Sequence, residues 1–75
     1  MTNSSWSLDD LTINTDSRIE ARGSLTRQQT LVLGWFVFNS KDRSYIKMAR
    51  DCSLTMNQCE TAVEELMEAN IIRFR

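Results

Sequence analysis

The chain has no histidine and only two cysteines, Cys52 and Cys59, among its 75 residues. Without an imidazole, neither a Cys/His zinc site nor a Cys/His nucleophile pair can be assembled within it. No base, nucleophile and orienting group converge elsewhere in the sequence, so the reading is of a chain that is not an enzyme and carries no cofactor and no metal. Long apolar stretches are also missing. The start, MTNSSWSLDDLTINTD, offers neither the basic residues nor the continuous apolar segment of a secretory signal. The one apolar run, Leu31 to Phe38, falls far short of the ~20 residues that span a bilayer. Both absences point to a cytoplasmic, reducing setting without membrane contact, in which the two thiols are expected to be buried and unpaired. No repeat or low-complexity run appears, and 75 residues make at most one small domain, near the size where a single core just supports folding.

Charge is nearly balanced, at a net of −1, but unevenly placed. Residues 1–20 hold Asp9, Asp10, Asp16 and Glu20 against Arg18, a net of −3. The remainder holds eight basic residues against six acids, a net of +2. The first 23 residues, rich in Ser, Thr, Asn and Asp, read as a flexible acidic arm, and residues 24–75 as the folded domain. Within the arm, DLTINT alternates Leu11 and Ile13 with polar neighbours and can add a short strand to a sheet edge. Trp6 and Leu8 are candidates to dock on the domain or on a partner.

Three helices follow. Thr26 and Gln29 have the spacing of a capping box, which predicts a helix from about Arg27 to Asn39 in spite of the strand-prone residues in its apolar run. Being apolar nearly all round, it should be the central helix, with Trp35, Phe36 and Phe38 in the core or partly exposed as a homodimer contact. Gly34 in its interior suggests close packing by another element. A second helix over 44–52 should turn Ile46, Ala49 and Cys52 inward and Lys47, Arg50 and Asp51 outward. Ser53 and Leu54 break it, and Thr55 caps a third helix over 55–69, whose stripe is Met56, Cys59, Val63, Leu66 and Met67 with Ala62 beside it. Asn70 suits a left-handed helix end, and IIRFR then alternates like a strand.

Helix, turn, short helix, three-residue break, longer helix and strand, in that order, resemble the winged helix-turn-helix family. The resemblance rests on Ala49 at the small position of the second helix, Cys52-Ser53-Leu54-Thr55 as the turn, Cys59, Val63 and Leu66 as inward positions, and Asn70-Ile71-Ile72 where the family has Gly-Leu-Ile. It implies a mainly α, three-helix domain with a short C-terminal strand, for which DLTINT is a possible partner strand in place of the missing wing hairpin. It also implies sequence-specific binding of double-stranded DNA in transcription or replication control, in the manner of short regulators of phages, plasmids and mobile elements or the DNA-binding domains of some phage replication proteins. In that arrangement the third helix reads base edges through Asn57, Gln58, Glu60 and Thr61, with its cap Thr55 also counted among the DNA-binding residues, while Lys41, Arg43, Lys47, Arg50, Arg73 and Arg75 meet phosphates. With so few basic residues, a symmetric homodimer would be the working form.

One property of the third helix opposes this reading. It carries Glu60, Glu64, Glu65 and Glu68 and no basic residue at all. The alternative is therefore the same fold serving protein contact, through an acidic arm and an acidic helix face directed at a protein partner.

Overall fold

A computed structural model describes residues 6–14 and 25–75 of the chain. The described part is mainly helical: a 3-10 turn (Leu8–Asp10), strand β1 (Leu11–Ile13), helices α1 (Arg27–Phe38), α2 (Tyr45–Cys52) and α3 (Met56–Glu68), and strand β2 (Ile72–Phe74). No helix is long and apolar enough to cross a membrane among the described residues.

Each helix starts on its own local signal. Thr26 and Gln29 exchange side-chain and backbone hydrogen bonds at 3.1 Å across the first turn of α1, and Thr55 and Gln58 do the same at 3.0 Å for α3. Ser44 caps α2 by accepting from the Lys47 amide. These bonds satisfy amides that have no partner inside a helix. The exits of α2 and α3 are left-handed, whereas α1 ends on an extended residue, Asn39. Ser53 ends α2 at φ 59° and Asn70 follows α3 at φ 64°, conformations that bend the chain sharply enough to bring the next element back onto the core.

The core lies between the three helices and the sheet. It is made of Val32, Trp35 and Phe36 from α1, Met48 from α2, Cys59, Ala62, Val63 and Leu66 from α3, Ile71 and Ile72 beyond it, and Leu8 and Leu11 from the N-terminal segment. Side-chain bonds tie the helices together: Trp35 Nε1 donates to Asp51 on α2, and Gln29 Nε2 donates to Glu65 on α3. Cys59 is fully buried and Cys52 half-buried, and both thiols are free. Burial raises the pKa of each, which keeps the thiolate fraction low.

Several sequence expectations need correction. The segment read as part of a flexible arm is, over Leu8 to Asn14, part of the fold: Leu11 is 0 % exposed and Leu8 3 %. Strand β1 pairs antiparallel with β2 in the register Leu11–Phe74, Thr12–Arg73, Ile13–Ile72, so DLTINT does supply the partner strand. The rest of the expected arm, residues 1–5 and 15–23, lies outside the described residues. On α2 the inward stripe is Tyr45, Met48, Ala49 and Cys52, and Ile46 is 70 % exposed, because a helix puts positions 45, 48, 49 and 52 on one face and 46 roughly opposite 48. Met56, expected to pack inward, is exposed on the first turn of α3. Phe38, at the last turn of α1, is 87 % exposed, since the helix runs past the edge of the core there. Nothing lies within 4 Å of where a side chain on Gly34 would sit, so no close approach accounts for that glycine.

Candidate functional site

Two surfaces meet on α3. Its outward ridge is Asn57, Thr61, Glu64 and Glu68, all exposed, as the 100° step of a helix requires once Cys59, Val63 and Leu66 face the core. Toward the N-terminal end, Asn57 and Thr61 are the neutral polar members of this ridge. Glu60 and Glu64 turn toward the start of α2, where they line an open groove of about 550 Å³ together with Trp6, Ser7, Leu8, Arg43, Ser44 and Tyr45. Trp6 is steadied there by an edge-on contact with Phe74, the ring centroids 5.5 Å apart.

Tyr45 reports the electrostatics of that groove. Its pKa is pushed up to about 12, first by burial of the phenol and then by the negative charge of Glu60 and Glu64. The phenol therefore stays protonated well above neutral pH and remains a hydrogen-bond donor beside two carboxylates.

Arg43 has a different role from the phosphate contact expected of it. It is 9 % exposed, and its guanidinium donates to the carbonyls of Leu8 at 3.1 Å, Leu11 at 2.7 Å, Phe36 at 3.3 Å, and Asn39. It also lies over the Phe36 ring, 4.3 Å from the centroid, and its backbone amide donates to the Asp9 carboxylate. Burial lowers its pKa, with a further push from the charge of Arg75 and an opposing pull from Asp9. Its donors are thus used in joining the N-terminal segment to the end of α1, which removes it from any outward-facing set.

The other expected site residues separate into three groups. Thr55 and Gln58 hold each other in the α3 cap, so the oxygens that a base edge would meet are already bonded. Lys47 donates to the carbonyl of Asp42, Arg50 forms an ion pair with Asp51 at 3.4 Å, and Arg75 donates to the carbonyls of Asp9 and Ser40, each from an exposed position. Lys41, Asn57, Glu60, Thr61 and Arg73 are exposed. The sequence reading missed the groove itself, because one of its walls comes from the segment read as an arm. Ser7 and Asp10 give a usable signal: with that spacing they form a capping box on the 3-10 turn, and so mark the segment as structured.

Among the described residues, no group of three or more His, Cys, Asp or Glu is placed to hold a metal ion. Comparison of the chain with protein-family models, curated proteins and solved structures gives no match.

Proposed function

We propose that the domain binds duplex DNA as a winged helix-turn-helix module, with α2 and α3 as the helix pair and β1–β2 standing where the wing does. The observation that carries this reading is the exposure of Asn57 and Thr61 on the first turns of a self-capped α3, joined to α2 by a sharp left-handed turn at Ser53. The N-terminal turns of such a helix are the part that reaches base edges in a major groove, and an asparagine there can pair with adenine. The positive end of the helix dipole lies at the same place.

Phosphate contacts fall to Lys41, Lys47, Arg50 and Arg73, with Arg75 at the end of the sheet; Arg43 is excluded by its internal bonds. Glu64, Glu65 and Glu68 lie further back on α3 and set a limit on how deeply it enters the groove. Affinity per copy is then modest, and two copies on paired half-sites are the effective form. The role is one of transcription or replication control.

The test is a fluorescence titration of labelled duplex at about 50 mM salt, with the salt then raised. Neutralising Lys47 or Arg50 should weaken all sequences alike and reduce the salt slope by about one each, whereas Asn57→Ala and Thr61→Ala should relax sequence preference at an unchanged slope. No salt-dependent binding at that ionic strength would end the proposal.

A further inference from the structure

We propose that the groove between the Trp6–Leu8 segment, the start of α2 and the Glu60–Glu64 edge of α3 is a docking site for a lysine- or arginine-bearing segment of a protein partner. This inference does not depend on DNA binding: the groove is lined by Trp6, Ser7, Leu8, Tyr45, Glu60 and Glu64, whereas the base and phosphate contacts proposed above fall to other residues.

The groove, at about 550 Å³, lies within the ~300–1,000 Å³ typical of sites for specific ligands. Its walls choose the charge of the occupant. Glu60 and Glu64 supply two carboxylates, and both are felt by the phenol of Tyr45, which places them at the same part of the groove. Trp6 and Tyr45 supply aromatic surface, on which a guanidinium or ammonium is favoured over a neutral side chain. Among the described residues the one cation lining the groove, Arg43, sends its guanidinium donors inward to the carbonyls of Leu8, Leu11, Phe36 and Asn39 and does not offer them to a ligand. An anionic occupant would meet two carboxylates and gain no free arginine donor. A basic one meets both carboxylates, two rings and the Tyr45 phenol, whose oxygen can also accept.

The experiment is calorimetric titration of the whole chain with a short arginine-rich peptide, with a polyglutamate peptide as the opposite-charge probe. The wild type should bind the first and not the second. Glu60→Gln with Glu64→Gln should weaken binding roughly tenfold or more while leaving the melting temperature nearly unchanged, since both carboxylates are exposed. A control pair, Glu65→Gln with Glu68→Gln, makes the same charge change on the same helix outside the groove and should weaken binding far less. Trp6→Phe keeps a ring and should retain most of the affinity, whereas Trp6→Ser should lose it. Equal losses in the two glutamate pairs, or no binding by the wild type, would overturn the assignment.

Discussion

The segment Leu8–Asn14 and the helix α3 both mix apolar with acidic and polar residues, yet they are held in place by opposite means. Helix α3 carries its own instructions: a capping box at Thr55 and Gln58, apolar residues every three or four positions, and a left-handed exit at Asn70. The N-terminal segment forms a 3-10 turn and three residues of strand, too little to persist alone. Beyond the Ser7–Asp10 capping box, its contacts are remote. Leu8 and Leu11 give their carbonyls to Arg43, Asn14 bonds Asn70 and Ile71, and Asp10 accepts from the Arg75 amide. The difference shows that a short segment with only a few apolar residues can belong to the core when distant residues satisfy its backbone, and that local pattern alone undervalues it.

The largest test of that contrast is a matched pair of truncations. Leu11→Ala and Leu66→Ala remove equally buried side chains, 0 % and 1 % exposed, and each should cost about 2 to 5 kcal/mol in chemical denaturation. If Leu11→Ala were neutral while Leu66→Ala was not, the N-terminal segment would not be part of the folding unit. Next in size is Arg43→Met, expected to destabilise by about 2 to 3 kcal/mol, since several carbonyls lose a donor and water refills only some of them. Arg43→Lys should recover little, because one ammonium cannot span carbonyls on both the N-terminal segment and α1. A surface arginine would show neither effect.

The local side of the comparison predicts smaller effects, both stabilising. Ser53→Gly should add about 1 kcal/mol by relieving a left-handed conformation that costs any residue with a β-carbon. Gly34→Ala should add roughly 0.5 to 1 kcal/mol, given open space at that position in α1, and a loss of stability would mean that something packs there after all.

The smallest effect reads the seam between the two regions. Tyr45 is the one tyrosine in the chain, so its titration can be followed directly by tyrosinate absorbance. With the folded pKa raised from 10.0 to about 12, the phenol contributes stability that is fully present below pH 10.0 and is lost as pH rises toward about 12, where the unfolded chain ionises first. The absorbance midpoint should fall in Glu60→Gln, and Tyr45→Phe should remove this part of the alkaline sensitivity. An absorbance midpoint at 10.0 in the folded protein would mean that the groove does not bury the phenol beside its carboxylates.

Much of the helical layout was legible because its signals act over three or four residues. Thr26 with Gln29, Thr55 with Gln58, and Asn70 each act within a turn of their own position, and the helix bounds agree with the reading to within a residue. The face of α2 was misread because Ile46 and Met48 are both apolar and only packing against α1 and α3 decides between them. The candidate site was legible in one part, the outward ridge with Asn57 and Thr61, because it follows from helical geometry once the inward stripe is known.

What the sequence by itself determined is where the helices start and stop, since caps and left-handed exits are satisfied by neighbours in the chain. What only the tertiary structure decided is the fate of Arg43 and the existence of the groove. In the sequence Arg43 differs little from Lys41, one more cation in a polar turn. Its role is set by the carbonyls of Leu8 and Leu11, 35 and 32 residues away, which need a donor that a planar guanidinium can give to both at once. Burying it there draws the N-terminal segment across the start of α2, and that crossing brings Trp6 opposite Glu60 and Glu64.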